Sequence, residues 1–223
     1  MEKFPKLPAL TTGQMMEVDR LMIEEWGITL IQMMENAGLN LAELSRRLLQ
    51  DLRGKRIIVL CGVGNNGGGG MVAVRHLHNW GAQVQVILVV DEHKLKEIPL
   101  HQWKILKRMG LNIPISDFNK ADLILDAMLG YGVKGNPREP IASWIHRVNE
   151  SKIPVLALDA PSGLDTTTGK PGSPCLRAHA TLTLALPKTG LLTPDSKPFV
   201  GDLYLADISV PVELYGSASL KLT

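Results

Sequence analysis

Cys61-Gly62-Val63-Gly64-Asn65-Asn66-Gly67-Gly68-Gly69-Gly70 is the stretch on which the reading of this chain turns. The aliphatic run Ile57-Ile58-Val59-Leu60 leads into it, and an apolar-periodic segment from Met71 to Trp80 leads out. The order is strand, glycine-rich turn, helix. Glycine lacks a Cβ, so such a turn can take positive φ and bring a ligand close to the main chain. Free N–H groups ahead of a helix suit an anion such as a phosphate. A plain strand-to-helix turn has the same look, so the surrounding chain must decide between them.

On the N-terminal side, Thr11 or Thr12 caps a first helix carrying Met15, Met16, Val18, Leu21 and Met22, and Gly27 ends it. A second helix runs from Leu30 to Leu52, with Met33, Met34, Ala37, Leu41, Leu44 and Leu48 at three- and four-residue spacing. Glu35 and Asn36 interrupt that stripe; exposure or local hydrogen bonding is the simpler account of them. On the C-terminal side, strands alternate with helices. After Arg56 to Cys61 come a strand at Gln83 to Val90, a helix at His93 to Met109, and a short strand at Asn112 to Ile115. A strand at Asp122 to Asp126, a helix at Pro140 to Asn149 and a strand at Pro154 to Asp159 follow. Thr181 to Leu186 and Asp202 to Ala206 are the last strands, with no long helical pattern between them. This alternation predicts an α/β fold, a largely parallel, doubly wound sheet in one domain over residues 1–223, whose last strands are close enough to be antiparallel.

Composition narrows the function classes. Of 223 residues, 45% are hydrophobic and 21% charged, an ordinary globular balance. A formal charge of +2 makes no case for a nucleic-acid or membrane partner. Two distant cysteines, Cys61 and Cys175, are neither a disulfide framework nor a metal-ligand spacing. Met1 to Leu10 lacks the apolar core of a signal peptide, and no 18-residue apolar run marks a membrane span. A soluble, cytoplasmic protein is expected.

In open α/β sheets, ligands bind beyond the carboxyl ends of the strands, where strand order reverses. Three loops at such ends carry unusual residues: the glycine loop with Asn65 and Asn66, the segment Asp126 to Asn136, and Asp159-Ala-Pro-Ser162-Gly163-Leu-Asp165. Asp126 and Asp159 each end an apolar strand, where a carboxylate is costly unless bonded, paired or metal-bound. One such aspartate is more often a cap; two on successive units beside a glycine loop favour a site. Gly130, Gly132 and Gly135 allow close ligand approach, and Lys134 can add positive charge, although a solvated loop lysine is commoner. Oxygens of Asn66, Asp126 and Ser162 can converge on a hard cation, whereas nitrogen or sulfur ligands for zinc are lacking. Gly62-Val63-Gly64-Asn65-Asn66-Gly67 also fits a dinucleotide fingerprint, with Asp91 as its acidic partner, so a dehydrogenase competes. No Lys-Ser or Lys-Thr follows the glycines, which excludes a P-loop.

Taken in order, Met34-Glu35-Asn36-Ala37-Gly38, Gly64-Asn65-Asn66-Gly67-Gly68, Val72 to Arg75, Asp126-Ala-Met-Leu-Gly130-Tyr131-Gly132, Asp159-Ala-Pro-Ser162-Gly163-Leu-Asp165, Leu186-Pro187-Lys188 and Ala206-Asp207-Ile208 resemble the YjeF N-terminal domain, the NAD(P)H-hydrate epimerase family. The resemblance spans nearly the whole chain. It implies a Rossmann-like three-layer α/β/α sandwich, often dimeric. It also implies epimerisation of hydrated NADH and NADPH, so that a separate S-specific dehydratase can restore the cofactor. On the family pattern Asn65, Asn66, Gly67, Gly68, Gly69, then Gly130, Tyr131, Gly132, Val133, Lys134, Gly135 and Asn136, together with Asp159, line the dinucleotide. Asn66, Asp126 and Ser162 match its potassium-binding positions. Asp126 is the catalytic candidate, acting on the reacting ring directly or through the cation. The family loop reads Gly-Asn-Asn-Gly-Gly-Asp-Gly, and Gly69 stands at its aspartate position. A non-catalytic nucleotide-binding or scaffold module on the same fold is therefore the second reading.

Overall fold

The computed structural model describes residues 7–111, 118–132 and 135–217. Two helices come first. In α1 (Thr12–Glu24) the Thr11 hydroxyl accepts from the Gln14 N–H while the Gln14 side chain accepts from Thr11, a capping box. In α2 (Leu30–Leu49) Thr29 and Gln32 repeat the device. It stops short of the expected Leu52 because Gln50 turns to a positive φ of 64°.

Strands and helices then alternate: β1 (Arg56–Cys61), α3 (Asn65–Asn79), β2 (Gln83–Leu88), α4 (Glu97–Arg108), β3 (Leu123–Ala127), α5 (Ile141–Ser151), β4 (Val155–Leu158), β5 (Ala180–Leu184), the short α6 (Lys197–Val200) and β6 (Asp202–Ala206). The described strands form one sheet in the order β2-β1-β3-β4-β5-β6, and every adjacent pair is parallel. The expectation of antiparallel closing strands is thus corrected. Residues 185–201 cross back through short 3-10 turns and α6, long enough for a parallel connection without a full helix. The strand expected at 112–115 lies outside the described residues.

Buried faces explain the patterns. Ile57, Val59 and Cys61 of β1 pack into a core with α2, α3 and α4, while Ile58 and Leu60 pack with Ile145 and Val148 of α5. A parallel strand covered on both faces reads as an unbroken apolar run, as β1 does. α1 joins α2 through Met15, Val18 and Met22 against Met33 and Ala37. The result is a three-layer α/β/α sandwich.

The glycine run is mostly helix, a second correction. α3 begins at Asn65, and Gly67 to Gly70 have negative φ within its first turns. Close packing explains them. A Cβ on Gly67 would lie 2.1 Å from the Gly62 carbonyl oxygen, and one on Gly70 would lie 2.6 Å from the Ala127 Cβ. Glycine costs about 1 kcal/mol per residue inside a helix. That cost is offset because α3 sinks onto β1 and β3. Glu35 is structural here: Arg75 Nη2 donates to both its oxygens at 2.6 Å and Gln102 Nε2 donates at 3.2 Å, tying α2, α3 and α4 together.

Candidate functional site

The chain leaves β1 for β2 on one side and places β3 on the other, so strand order reverses between β1 and β3. A crevice opens at such a point. Register sets Leu60 beside Asp126 and Cys61 beside Ala127, and the Gly62 N–H donates to the Ala127 carbonyl at 3.1 Å. A cleft of about 450 Å³ lies there. Asn65, Asn66, Gly69, Gly130, Tyr131, Gly132 and Asp159 all line it, with Met33 and Met34 of α2 and Asp19 of α1 opposite. Gly67 and Gly68 pack behind this wall. Gly135 and Asn136 instead border an adjoining hollow of about 160 Å³, shared at Leu129 and Gly130. Val133 and Lys134 lie outside the described residues.

Asp126 does not line the cleft. β3 continues past it to Ala127, so its side chain points into the interior and is 0% exposed. Oδ2 accepts from the Ser162 N–H at 2.8 Å; Oδ1 accepts from the Ser162 hydroxyl at 2.7 Å and the Met128 N–H at 3.1 Å. Ser162 Oγ in turn accepts from the Leu129 N–H at 3.0 Å. Asn66 Nδ2 donates to the carbonyls of Leu129 at 2.9 Å and Leu158 at 3.2 Å. Asn66, Asp126 and Ser162 therefore converge on the Met128-Leu129 segment. Burial raises the Asp126 pKa from 3.8 to about 6, only partly opposed by the Ser162 and Met128 hydrogen bonds. Among the described residues no basic side chain bonds to this carboxylate. Its bonded partners are the Ser162 hydroxyl and the Ser162 and Met128 N–H groups, while the Leu129 and Leu158 carbonyls accept from Asn66. Carboxylate, hydroxyl and carbonyl oxygens are the donor types that suit a hard cation.

Asp159 organises the other wall. It follows β4 with a φ of 67°, a conformation that aspartate tolerates better than most residues. Its Oδ1 accepts from Lys188 Nζ at 2.6 Å and its Oδ2 from the Tyr131 N–H at 2.9 Å. Lys188 is 0% exposed and also donates to the Leu184 carbonyl at 2.8 Å and to Thr183 Oγ1 at 3.3 Å. The Tyr131 hydroxyl donates to Asp19, and its carbonyl accepts from Thr166 Oγ1 at 3.2 Å. Tyr131 is thus fixed through backbone and side chain together.

Sequence reasoning missed three residues of this region. Asp19 had a signal: it falls on the apolar stripe of α1, between Met15 and Met22. Lys188 stood only within a family motif, and nothing in its local pattern foretells burial. Lys96, at the N-cap of α4, borders the cleft while remaining exposed, its N–H donating to the Val63 carbonyl at 3.2 Å. Asp91 caps a 3-10 turn by accepting from the His93 N–H at 3.0 Å and does not line the cleft. The dinucleotide fingerprint therefore lacks its acidic partner at the site.

Fold and site together define an α/β protein whose ligand cleft sits at the switch point of a parallel sheet. A family model described as YjeF-related protein N-terminus matches residues 30–190. An NAD(P)H-hydrate epimerase of Dehalogenimonas lykanthroporepellens is 42% identical over 216 residues, covering 95% of this chain and 86% of that protein. A bifunctional NAD(P)H-hydrate repair enzyme Nnr of Moorella thermoacetica is 37% identical, covering 92% of this chain but 41% of its own length. The crystal structure of yeast ynu0 shares the fold, with a TM-score of 0.81 at 23% identity over 97% of this chain and 94% of that one. The chain belongs to the YjeF-related N-terminal family. No helix among the described residues is long and apolar enough to cross a membrane.

Proposed function

We propose that the chain interconverts the R and S epimers of hydrated NADH and NADPH, NADHX and NADPHX, in nicotinamide nucleotide repair. The carrying observation is the cleft at the switch point. It gathers Asn65, Asn66, Gly69, Gly130, Tyr131, Gly132 and Asp159, residues that the family pattern gives to the dinucleotide. The start of α3 offers N–H groups to an anionic ligand. Met33, Met34 and Leu158 give the same cleft an apolar wall. The bifunctional relatives support a functional link to a dehydratase that consumes the S epimer. Incubation of R-NADHX with this chain and an S-specific dehydratase is expected to return NADH faster than the dehydratase alone; equal rates would overturn the proposal.

Potassium is the proposed ion. Asp126, Ser162 and Asn66 would hold it with the Leu129 and Leu158 carbonyls, the Asn66 amide turned to present its oxygen. The bound ion would supply positive charge beside a buried carboxylate. Asp126 then acts by holding the Met128-Leu129 segment, and with it the start of the Gly130 loop.

Gly69 favours the second reading, binding without turnover, and is directly testable. It lines the cleft, and a Cβ there would lie 2.9 Å from the terminal Cδ2 of Leu158, which can rotate away. Gly69→Asp is expected to fold and to bind R-NADHX about ten- to a hundredfold more tightly, as one added charge-assisted hydrogen bond would. Titration calorimetry checks it; unchanged or weaker binding would show that no ligand donor faces position 69.

A further inference from the structure

We propose that Asp19, oriented by the Tyr131 hydroxyl, is the acid–base residue that moves the proton when the hydrated nicotinamide ring opens and recloses. This rests on the epimerase reading above and deepens it.

The described titratable side chains that line the cleft are Asp19, Tyr131, Asp159 and Lys96. Three are poorly placed for the task. Both oxygens of Asp159 are engaged, one by Lys188 and one by the Tyr131 N–H. Lys96 is exposed at the edge. The Tyr131 hydroxyl is pushed far above its ordinary value by burial and by the negative charge of Asp19, so it keeps its proton and serves as a donor. Asp19 remains. One of its oxygens accepts from Tyr131, while Oδ1 has no hydrogen-bond partner among the described residues. Burial raises its pKa, with the Tyr131 hydrogen bond opposing, Asp159 adding to the rise and Lys188 lowering it. A general base works best when its pKa lies near the working pH.

The chemistry needs one proton moved twice and no redox partner. At C6 of the hydrated ring a hydroxyl and the ring nitrogen share one carbon. Asp19 takes the hydroxyl proton, the C6–O bond becomes a carbonyl, and the C6–N1 bond breaks with its electron pair going to nitrogen. Nitrogen then takes the proton from Asp19. Rotation exposes the other carbonyl face, and the same steps run backwards close the ring with the opposite configuration. Every atom and electron is returned.

The test compares wild type, Asp19→Asn and Tyr131→Phe in steady-state epimerisation of R-NADHX across pH. Asp19→Asn is expected to lower kcat by about 10²- to 10⁴-fold, with KM changed far less, and to abolish the acid limb of the profile. Tyr131→Phe is expected to remain active with its acid limb moved to higher pH, because the carboxylate loses a donor that favours its charged form. A purely structural part for Asp19 would change KM and thermal stability and leave the acid limb in place, which overturns the proposal. Wild-type epimerisation that Asp19→Asn matches would remove the Asp19 assignment alone. A wild type without epimerisation would remove the assignment and the reading beneath it.

Discussion

Lys188→Ala is expected to cost the fold about 3–5 kcal/mol, the range for removing one partner from a buried ion pair. Lys188 and Asp159 side chains are 0% and 3% exposed, and their contact is 2.6 Å. Without the ammonium, the Asp159 carboxylate keeps its desolvation cost and loses its counter-charge. The damage extends to the cleft, because Asp159 also holds the Tyr131 N–H while sitting at positive φ. Urea unfolding should therefore show a large fall in midpoint. A double variant, Lys188→Met with Asp159→Asn, removes both charges and should recover much of that loss, since neutral replacement of a buried pair is often near neutral overall. A single variant within about 1 kcal/mol of wild type, or a double variant that sums the two single losses, would contradict this account.

Asp126 gives the second large effect. Its pKa rises from 3.8 to about 6 on burial, so the folded chain holds this proton more tightly than the unfolded chain. The sign follows from linkage: the group's contribution is greatest below pH 4 and falls as pH climbs through about 6, by roughly 3 kcal/mol in all. Asp126→Asn should lack that slope when its unfolding is compared with wild type across pH 4 to about 7.5 in a potassium-free buffer. A cation at Asp126, Ser162 and Asn66 would favour the charged carboxylate and flatten the slope. Potassium in about hundredfold excess over its dissociation constant should then stabilise wild type at neutral pH by roughly 2–3 kcal/mol. The same addition should do little near pH 4, and little at any pH in Asp126→Asn. A response to potassium that survives in the variant would refute the site.

Much of the fold could be read from the chain because its strands are covered on both faces. Ile57 to Leu60 and Leu123 to Leu125 show this directly, as apolar runs separated by helical spacing. Strand direction at the sheet's end could not be read. The connection from β5 to β6 uses 3-10 turns, which leave no helical period in the sequence. The start of α3 misled for a different reason. Gly67 to Gly70 have poor helix propensity, and the close approach of Gly67 to the Gly62 carbonyl and of Gly70 to the Ala127 Cβ, which requires glycine at those two positions, is visible only in the fold. At the site, the loops were legible through glycines and aspartates at strand ends. Asp19 showed only as a carboxylate on the apolar stripe of α1; its partner could not be read, since the bond to Tyr131 spans 112 residues. The burial of Lys188 likewise depends on Asp159, 29 residues away.

On the proposed function, this chain interconverts the two configurations at C6 of hydrated NADH. The direct measurement is to incubate purified R-NADHX with the chain alone, in potassium buffer, and follow both epimers by chromatography. R-NADHX should relax to the equilibrium mixture faster than in buffer, at a rate proportional to protein concentration, and S-NADHX should reach the same mixture from the other side. Relaxation no faster than buffer from either epimer, at high concentrations of folded protein, would contradict the account.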